Sequence, residues 1–320
     1  MLFRSLAPHW RWNPYSDQYN LGFQRQWGAN SVLTVNYVGS TNHREQLQLT
    51  GNAALTPGPG DPQLRAPFPY IQPQNGYVRS YGKSNYNSLQ VSSEGRTTSG
   101  LIHKLAYTYS KALNYGCDTY GSFCDVQDPY HWQKDKGVAG YDLTHIFSAS
   151  VVYELPFGRG KRFASDNRAV DAIVGGWQLN GIVALTSGTP YDVQVPVQIA
   201  NTNNISGALR PNIVGNPYAG ATKLHPININ AFALPAPYTF GNMGRNSLRS
   251  DWRKNLDISF FRNFAFTESK RLEFRAEAFN VTNTPVFAIP DNNITDSNFG
   301  VVSSTANTER QLQLALKFYF

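Results

Sequence analysis

The chain has 320 residues, a formal net charge of +7 and only 15% charged side chains, whereas 13% of its residues are aromatic. This aromatic content excludes a disordered chain, because disordered segments are poor in aromatic residues. Abundant Tyr, Phe, Gly and Pro disfavour a mainly helical protein, since these residues favour strands and turns. No run of about 18 apolar residues is present, which excludes helical membrane spans. The composition predicts an all-β protein.

Apolar and polar residues alternate in nine segments, which is the pattern of strands with one apolar face. In chain order the segments are Tyr19–Trp27, Ser31–Gly39, Asn85–Glu94, Leu101–Lys111, His145–Leu155, Trp177–Leu185, Leu256–Phe264, Leu272–Ala278 and Leu312–Phe320. The connections between them are alternately short and long, apart from one medium turn over residues 156–176. This alternation is typical of outer-membrane barrels, which have short periplasmic turns and long extracellular loops.

Charged residues on the apolar side of these segments distinguish a membrane barrel from a soluble sandwich. A charge on the lipid face costs roughly 2–4 kcal/mol at mid-bilayer and little at the interface. The six charged or imidazole side chains of the apolar side lie near segment ends, namely Arg25, His103, Lys111, His145, Lys254 and Arg262. We therefore predict part of an antiparallel transmembrane β-barrel, with about nine to ten strands.

Aromatic residues fall where a membrane-interface girdle belongs. Trp27, Phe264, Phe318 and Phe320 are expected at the periplasmic rim, and Tyr109, Tyr141 and Trp252 at the outer rim. The opposite side of the segments carries polar residues that are expected to face the lumen, namely Glu94, Lys104, Glu154, Asp257, Glu273, Arg275, Glu277 and Lys317. Counting back from the last residue places Lys317 beside Glu273 or Arg275.

Several stretches resemble the barrel of Oar-like TonB-dependent outer-membrane receptors. They are Tyr-Asp-Leu-Thr-His-Ile-Phe-Ser-Ala-Ser (141–150) with Tyr-Glu-Leu-Pro-Phe-Gly (153–158), Gly-Trp-Gln-Leu-Asn-Gly (176–181) with Ser-Gly-Thr-Pro (187–190), Phe-Gly-Asn-Met-Gly-Arg-Asn (240–246), Phe-Arg-Ala-Glu-Ala-Phe-Asn-Val-Thr-Asn (274–283) and the terminal Phe320. The resemblance covers nearly all of residues 1–320 and corresponds to the C-terminal part of such a receptor.

The resemblance implies a function in energy-coupled uptake of a ligand at the bacterial outer membrane, with selectivity in the long loops. The ligand would be a peptide, a saccharide or a siderophore-like compound. An inner-membrane energy-coupling protein would act on such a receptor through a plug. We expect this sequence to lack both the plug and the N-terminal regulatory-like domain. We therefore expect a fragment that does not transport alone. The alternative is a structural or adhesive surface protein that binds a partner through the same loops.

The end of the chain resembles the signal that the barrel assembly machinery reads. Its alternating residues are Leu312, Leu314, Leu316, Phe318 and Phe320. The other expected contacts are outer-membrane lipids. No nucleic-acid partner is expected, because Lys and Arg are scattered and no basic-aromatic RNA-binding motif occurs.

Candidate chemical groups are few. Cys117 and Cys124 are close together in a loop assigned to an oxidising compartment, which favours a disulfide over a metal site that lacks further ligands. Asp142 and His145 have no accompanying nucleophile, so we expect them at a strand entrance and not in an active site. We expect no enzymatic activity, no cofactor and no metal.

Overall fold

The computed structural model describes residues 12–28, 30–72, 76–97, 99–118, 123–158, 160–163, 168–205, 209–267 and 269–320. One antiparallel sheet dominates the fold. We number its long strands β1 to β9. They are β1 (Tyr15–Trp27), β2 (Ser31–Thr50), β3 (Gly76–Arg96), β4 (Leu101–Asn114), β5 (His145–Glu154), β6 (Trp177–Thr186), β7 (Arg253–Ala265), β8 (Arg271–Phe279) and β9 (Gln311–Tyr319).

Each long strand pairs with its neighbours in the sequence, so that the sheet runs from β1 to β9 in chain order. The two-residue strand Gly137–Val138 adds to β4 as a tenth member. Within the described residues β1 and β9 form the two edges, and both run toward the end of the sheet that carries the short turns. All nine predicted segments are therefore strands, in the predicted order.

The register places the predicted lumen residues on one face. Directly paired residues of an antiparallel sheet share a face, and Glu94 pairs with Lys104 while Glu273 pairs with Lys317. Following the pairs across the sheet brings all eight predicted polar residues to this side, which we call the polar face. The expected neighbour of Lys317 is thus confirmed as Glu273.

The opposite face is apolar and exposed. Leu21 in β1 is 76% exposed and Leu314 in β9 is 75% exposed. A soluble sheet would bury such residues against a second layer, because exposed apolar area is unfavourable in water. In a bilayer the same residues contact lipid chains, as the predicted barrel requires.

Strands β2 and β3 are longer than the alternation predicted. The alternation predicts a loop from residue 40 to residue 84, but β2 extends to Thr50 and β3 begins at Gly76. Two register shifts, between His43 and Glu45 and between Glu45 and Leu47, interrupt the pairing. These bulges shift the period-2 pattern, which is why the extensions were not recognised from the sequence.

The connections hold the remaining short elements. The medium turn contains a short α-helix, α1 (Arg168–Val174), and the long loops contain the 3₁₀ turns Pro62–Arg65, Trp132–Asp135, Val197–Ile199 and Ile229–Ala231. Two small ribbons pair Asn212–Ile213 with Phe232–Ala233 and Pro190–Tyr191 with Leu248–Arg249. In the described part of the chain no helix has the length and apolarity needed to cross a membrane.

A charge placed on the apolar face tests the assignment of the two faces. We expect L314R, at the middle of β9, to destabilise membrane insertion by roughly 2–4 kcal/mol. Its neighbour on the polar face, Gln313, pairs with Glu277, so Q313R introduces the same charge opposite a carboxylate and should be tolerated. The urea concentration that extracts each variant from outer-membrane fractions measures the difference. Equal sensitivity of the two variants would contradict the assignment.

Candidate ligand-binding loops

Four long connections leave the same end of the sheet and pack together. They are loop A (residues 51–75), loop B (115–144), loop C (187–252) and loop D (280–310). Main-chain bonds join them: Ala54 N–H donates to Thr202 O at 2.7 Å, linking loops A and C, and Gln194 N–H donates to Asn292 O at 2.7 Å, linking loops C and D. The Asn204 amide donates to Val126 O at 2.8 Å, linking loops C and B. We call the four together the loop body.

The loop body has its own apolar core. One cluster lies within loop C and comprises Tyr191, Val193, Ile227, Ala231, Phe232, Met243 and Leu248, against which Ile294 and Phe299 of loop D pack. A second cluster joins the upper part of β2 to loop B through Leu47, Leu49, Cys124, Val126 and Trp132. Burial of these side chains favours an ordered arrangement of the loops, since each fully buried Val, Leu, Ile, Phe or Met side chain contributes about 1.5–3 kcal/mol.

A buried ion pair crosses from loop C to loop B. The guanidinium of Arg210 contacts the Asp135 carboxylate, and both side chains are only 3% exposed. Arg210 Nε also donates to Met243 O at 3.0 Å, and its main-chain N–H donates to Gln127 Oε1 at 2.8 Å. A buried charge is costly unless it is paired and hydrogen-bonded. The pair therefore favours the arrangement in which these two loops are docked.

Arg245 makes a second bridge between the same loops. Its Nε donates to Asp135 O at 3.1 Å, its Nη2 contacts the Asn114 side chain, and its Nη1 lies 3.5 Å from the Asp118 carboxylate. Burial lowers the pKa of Arg245, and the neighbouring Asp118 opposes that effect. One side chain thus bonds to several groups of loop B and the end of β4, which fixes loop C above the sheet.

Asp142 has a structural role at the entrance of β5. Its carboxylate is buried, accepts a hydrogen bond from Ala112 N at 2.6 Å and forms an ion pair with Arg249 of loop C. Arg249 also donates to Gly188 O at 3.1 Å. The position agrees with the expected strand entrance, and the contacts show why a carboxylate stands there: it joins loops B and C.

A third buried carboxylate, Asp192, stands near Arg210 and Arg245. Burial raises the pKa of Asp192 from 3.8 to about 6, while Arg210 lowers it and Asp125 raises it further. The carboxylate also accepts a hydrogen bond from the Asn246 main-chain N–H. Ionisation of Asp192 at neutral pH therefore opposes folding of the loop body.

Loop B contains a disulfide between Cys117 and Cys124, whose Cα atoms are 4.3 Å apart. Cys124 is fully buried in the second apolar cluster and its main-chain N–H donates to Gln48 O of β2 at 2.9 Å. The bond lies near the start of loop B, and its Cys124 packs against the upper end of β2. It therefore restricts loop B at its contact with the sheet.

Tyr109 and Trp252, two residues of the predicted outer rim, form an aromatic cluster with Tyr107 around His145. The Tyr107 hydroxyl lies 2.8 Å from His145 Nδ1, and the Trp252 ring stacks on the imidazole with centroids 5.6 Å apart. Tyr109 also packs against His145, and Tyr141 is exposed. At the opposite end, the Arg262 guanidinium lies 4.4 Å from the Phe264 ring centroid. The predicted rim residues thus lie at the two ends of the strands.

The structure brings only part of the predicted polar set into contact. Glu94 and Lys104 are 4.0 Å apart, and Arg275 forms an ion pair with Glu273. Glu154 pairs instead with Lys161 of the medium turn at 2.8 Å. The C-terminal residues Leu312, Leu314, Leu316 and Phe318 share the apolar face of β9, and Phe320 follows the strand. The predicted polar residues line the sheet and lie outside the loop body.

The side chains that join the loops are far apart in the sequence and were not among the predicted site residues. Arg210 and Asp135 are 75 residues apart, and Arg245 and Asn114 are 131 apart. Spacing along the chain gives no signal for such contacts. The only hint was that Asp142 and Arg245 both occur in stretches that carry the family resemblance.

Across the described ranges, no three His, Cys, Asp or Glu side chains are placed to hold a metal ion together.

Comparison with known proteins decides the family. The model of the outer membrane beta barrel domain matches residues 2–313. The chain belongs to this family. It is accordingly a protein of the bacterial outer membrane, in which the apolar face of the sheet contacts lipid and the nine long strands form barrel wall.

Solved structures similar to this outer-membrane barrel chain include three bacterial proteins. They are the outer membrane transporter YddB from Escherichia coli (12% identity, TM-score 0.49, 95% of this chain and 32% of that chain), the ferric-catecholate import receptor Fiu from E. coli K12 (13%, 0.46, 96% and 28%) and BauA, the ferric preacinetobactin receptor from Acinetobacter baumannii (12%, 0.44, 95% and 29%). The chain spans about a third of the length of these structures. No curated protein matches the sequence.

The buried pair between Arg210 and Asp135 should be important for docking of the loops. We expect D135N to destabilise the loop body by about 3–5 kcal/mol, because it leaves the guanidinium buried without its counter-charge. The double variant D135N/R210M should be less destabilised than the sum of the two single variants. Hydrogen exchange of loop B and loop C peptides measures each variant. Additive effects would show that the two side chains do not interact.

Asp192 should make the stability of the loop body depend on pH. Its folded pKa of about 6 lies above the ordinary 3.8, so its favourable contribution is complete below pH 3.8 and is lost as pH rises through 6. By linkage this amounts to at most about 3 kcal/mol. Loop amide exchange, corrected for intrinsic rates, should therefore show D192N gaining stability over the unaltered chain between pH 4 and pH 7.

The exposed position Asp296 provides the control for this measurement. The stability of the loop body in D296N should equal that of the unaltered chain at pH 4 and at pH 7. A D192N variant with the same pH dependence as D296N would contradict the assignment to Asp192.

Proposed function

We propose that this chain is part of an Oar-like, TonB-dependent receptor that takes up a ligand across the outer membrane. The loop body is the observation that carries this proposal. Its four loops are joined by buried ion pairs, main-chain hydrogen bonds and apolar clusters. Loops that are ordered before binding lose less conformational entropy when a ligand binds. Such loops suit selective capture of a ligand at the cell surface.

The roles within this proposal follow from the two parts of the molecule. The strands place the loop body at the outer side of the membrane, and the long loops select a peptide, a saccharide or a siderophore-like compound. Energy coupling reaches the barrel through a plug and an inner-membrane partner. The assembly machinery recognises the terminal strand β9, and the lipid face contacts outer-membrane lipids. We assign the chain no catalytic role, cofactor or metal.

Uptake by cells tests this function. Bacteria that encode the whole receptor of which this chain is part are compared with a strain lacking that gene, using a ⁵⁵Fe-loaded catecholate siderophore, a fluorescent pentapeptide and fluorescent maltohexaose as probes. We expect one probe to accumulate only in cells with the gene, and a protonophore to abolish its accumulation, because energy-coupled uptake requires the proton gradient. The D135N variant should reduce accumulation, because it loosens loops B and C.

The control outcome separates uptake from adhesion. A probe that binds cells with the gene, is removed by washing with protease and is unaffected by the protonophore would show surface attachment instead. That result would contradict the receptor proposal and favour the adhesive alternative.

A further inference from the structure

The geometry points to a binding site for a small aromatic carboxylate in a cleft between loop A, loop B and the upper ends of β2 and β3, with Arg79 as the group that binds the carboxylate. This inference rests on the proposed function and adds a further class of ligand to those named there. The cleft has a volume of about 490 Å³. Pockets for small organic ligands have volumes of roughly 300–1,000 Å³, so a single-ring acid fits within it.

The floor of the cleft comes from the extensions of β2 and β3. Leu49 pairs with Tyr77, and Leu47 pairs with Arg79, so these four side chains share one face of the sheet. Leu47 and Leu49 are buried beneath loop B. Tyr77 and Arg79 lie beside them at the border of the covered region, and both line the cleft. The bulges in this strand pair therefore position the residues that close the bottom of the site.

The walls are aromatic and held in place by hydrogen bonds. On the loop A side, Phe68 N–H donates to Asn52 Oδ1 at 3.0 Å, and the Asn52 amide donates to Phe68 O at 2.8 Å and to Ile71 O at 2.6 Å. On the loop B side, the Tyr130 hydroxyl donates to Ala53 O at 2.7 Å. Burial raises the pKa of Tyr130 to about 12, so its hydroxyl stays protonated and keeps this bond.

A second aromatic residue completes the loop B wall. Trp132 is 8% exposed, and its ring meets Tyr115 edge-on with centroids 4.8 Å apart. Phe68 on the other wall is 51% exposed. The cleft thus has one fixed indole at its inner side and one accessible phenyl ring at its mouth. Aromatic surfaces of this kind bind a planar ring by stacked or edge-to-face contacts.

Arg79 supplies the charge. Its Cζ lies 4.3 Å from the centroid of the Tyr77 ring and 5.7 Å from that of Tyr81. The arginines that form ion pairs in the described part of the chain are Arg96, Arg210, Arg245, Arg249 and Arg275. Arg79 is exposed and stacks on a ring instead, and stacking occupies the face of a guanidinium while leaving its in-plane N–H donors accessible.

The combination selects the ligand class. A guanidinium edge matches the two oxygens of a carboxylate, and the aromatic walls next to it match a ring attached to that carboxylate. The net charge of +7 favours the approach of an anion. A neutral aromatic compound would forgo the charged contact, and an aliphatic acid would forgo the ring contacts. Both should therefore bind more weakly than an aromatic acid.

Ligand binding to the 320-residue chain in detergent tests this assignment. The probes are 4-hydroxybenzoate, its neutral amide 4-hydroxybenzamide, and cyclohexanecarboxylate, with saturation-transfer NMR for detection and calorimetry for Kd. We expect 4-hydroxybenzoate to bind about tenfold more tightly than either of the other two. R79Q should weaken its binding about tenfold and remove the preference over the amide. R79K keeps the charge but lacks the planar guanidinium, so its affinity for 4-hydroxybenzoate should lie between those of the unaltered chain and R79Q.

Arg44 provides a matched control. Its Cζ lies 4.1 Å from the Trp12 ring centroid and 5.4 Å from that of Tyr15, so it is also stacked on rings but does not line the cleft. R44Q should leave binding unchanged. F68A removes the accessible ring. It should weaken binding of 4-hydroxybenzoate and leave the affinity for cyclohexanecarboxylate nearly unchanged.

Three results would overturn the assignment: no binding of 4-hydroxybenzoate at millimolar concentration, equal effects of R79Q and R44Q, or equal affinity for the acid and its amide. Hydrogen exchange of loop A and loop B peptides checks that each variant keeps its loops ordered. The outcome is independent of the uptake experiment. Binding without uptake would contradict only the receptor proposal, and uptake without binding in the cleft would contradict only the ligand assignment.

Discussion

The need to pair every main-chain N–H and C=O within the membrane is the constraint on which this structure depends. Hydrocarbon offers these groups no water, and each unpaired group costs several kcal/mol. Antiparallel neighbours satisfy one another along the ladders between β1 and β9, which form the two edges of the described sheet. Because side chains alternate across each strand, the same pairing separates an apolar face from a polar one. Two observations follow from that one requirement. Leu21 and Leu314 are exposed on the apolar face, and Glu94 pairs with Lys104 on the polar face.

Outside the membrane, interactions other than the strand ladders hold the loops together. The loops have little regular secondary structure, so their order depends on apolar clusters and on arginines that bond to main-chain oxygens and carboxylates. Arg210, Arg245 and Arg249 each bond to groups that are distant in the sequence. A guanidinium has five donors in a fixed plane, and it can therefore join several loop segments at once. Loss of the partner of a buried guanidinium leaves an uncompensated charge, so the docked arrangement depends on these contacts.

The two halves of the molecule meet at the bulged upper ends of β2 and β3. Below the bulges the polar face carries residues such as Ser84, which bonds to Glu45 at 2.8 Å. Above them Leu47 and Leu49 turn toward loop B and are buried. The change from a polar wall to an apolar floor is what creates a cleft beside Arg79. The proposed ligand site thus depends on an irregularity in the sheet, and not on the regular barrel wall.

The amino-acid sequence by itself determined the strands of the barrel wall, their order, and the face on which Glu273 and Lys317 lie, because the period-2 pattern is local and lipid enforces it at every residue. It did not reveal the extensions of β2 and β3, since bulges break that period. Nor did it reveal the pairing of Arg210 with Asp135, because contacts between loops follow no repeat along the chain. Only the tertiary structure, by folding distant loops onto one another, decided which buried charges meet and where a cleft remains.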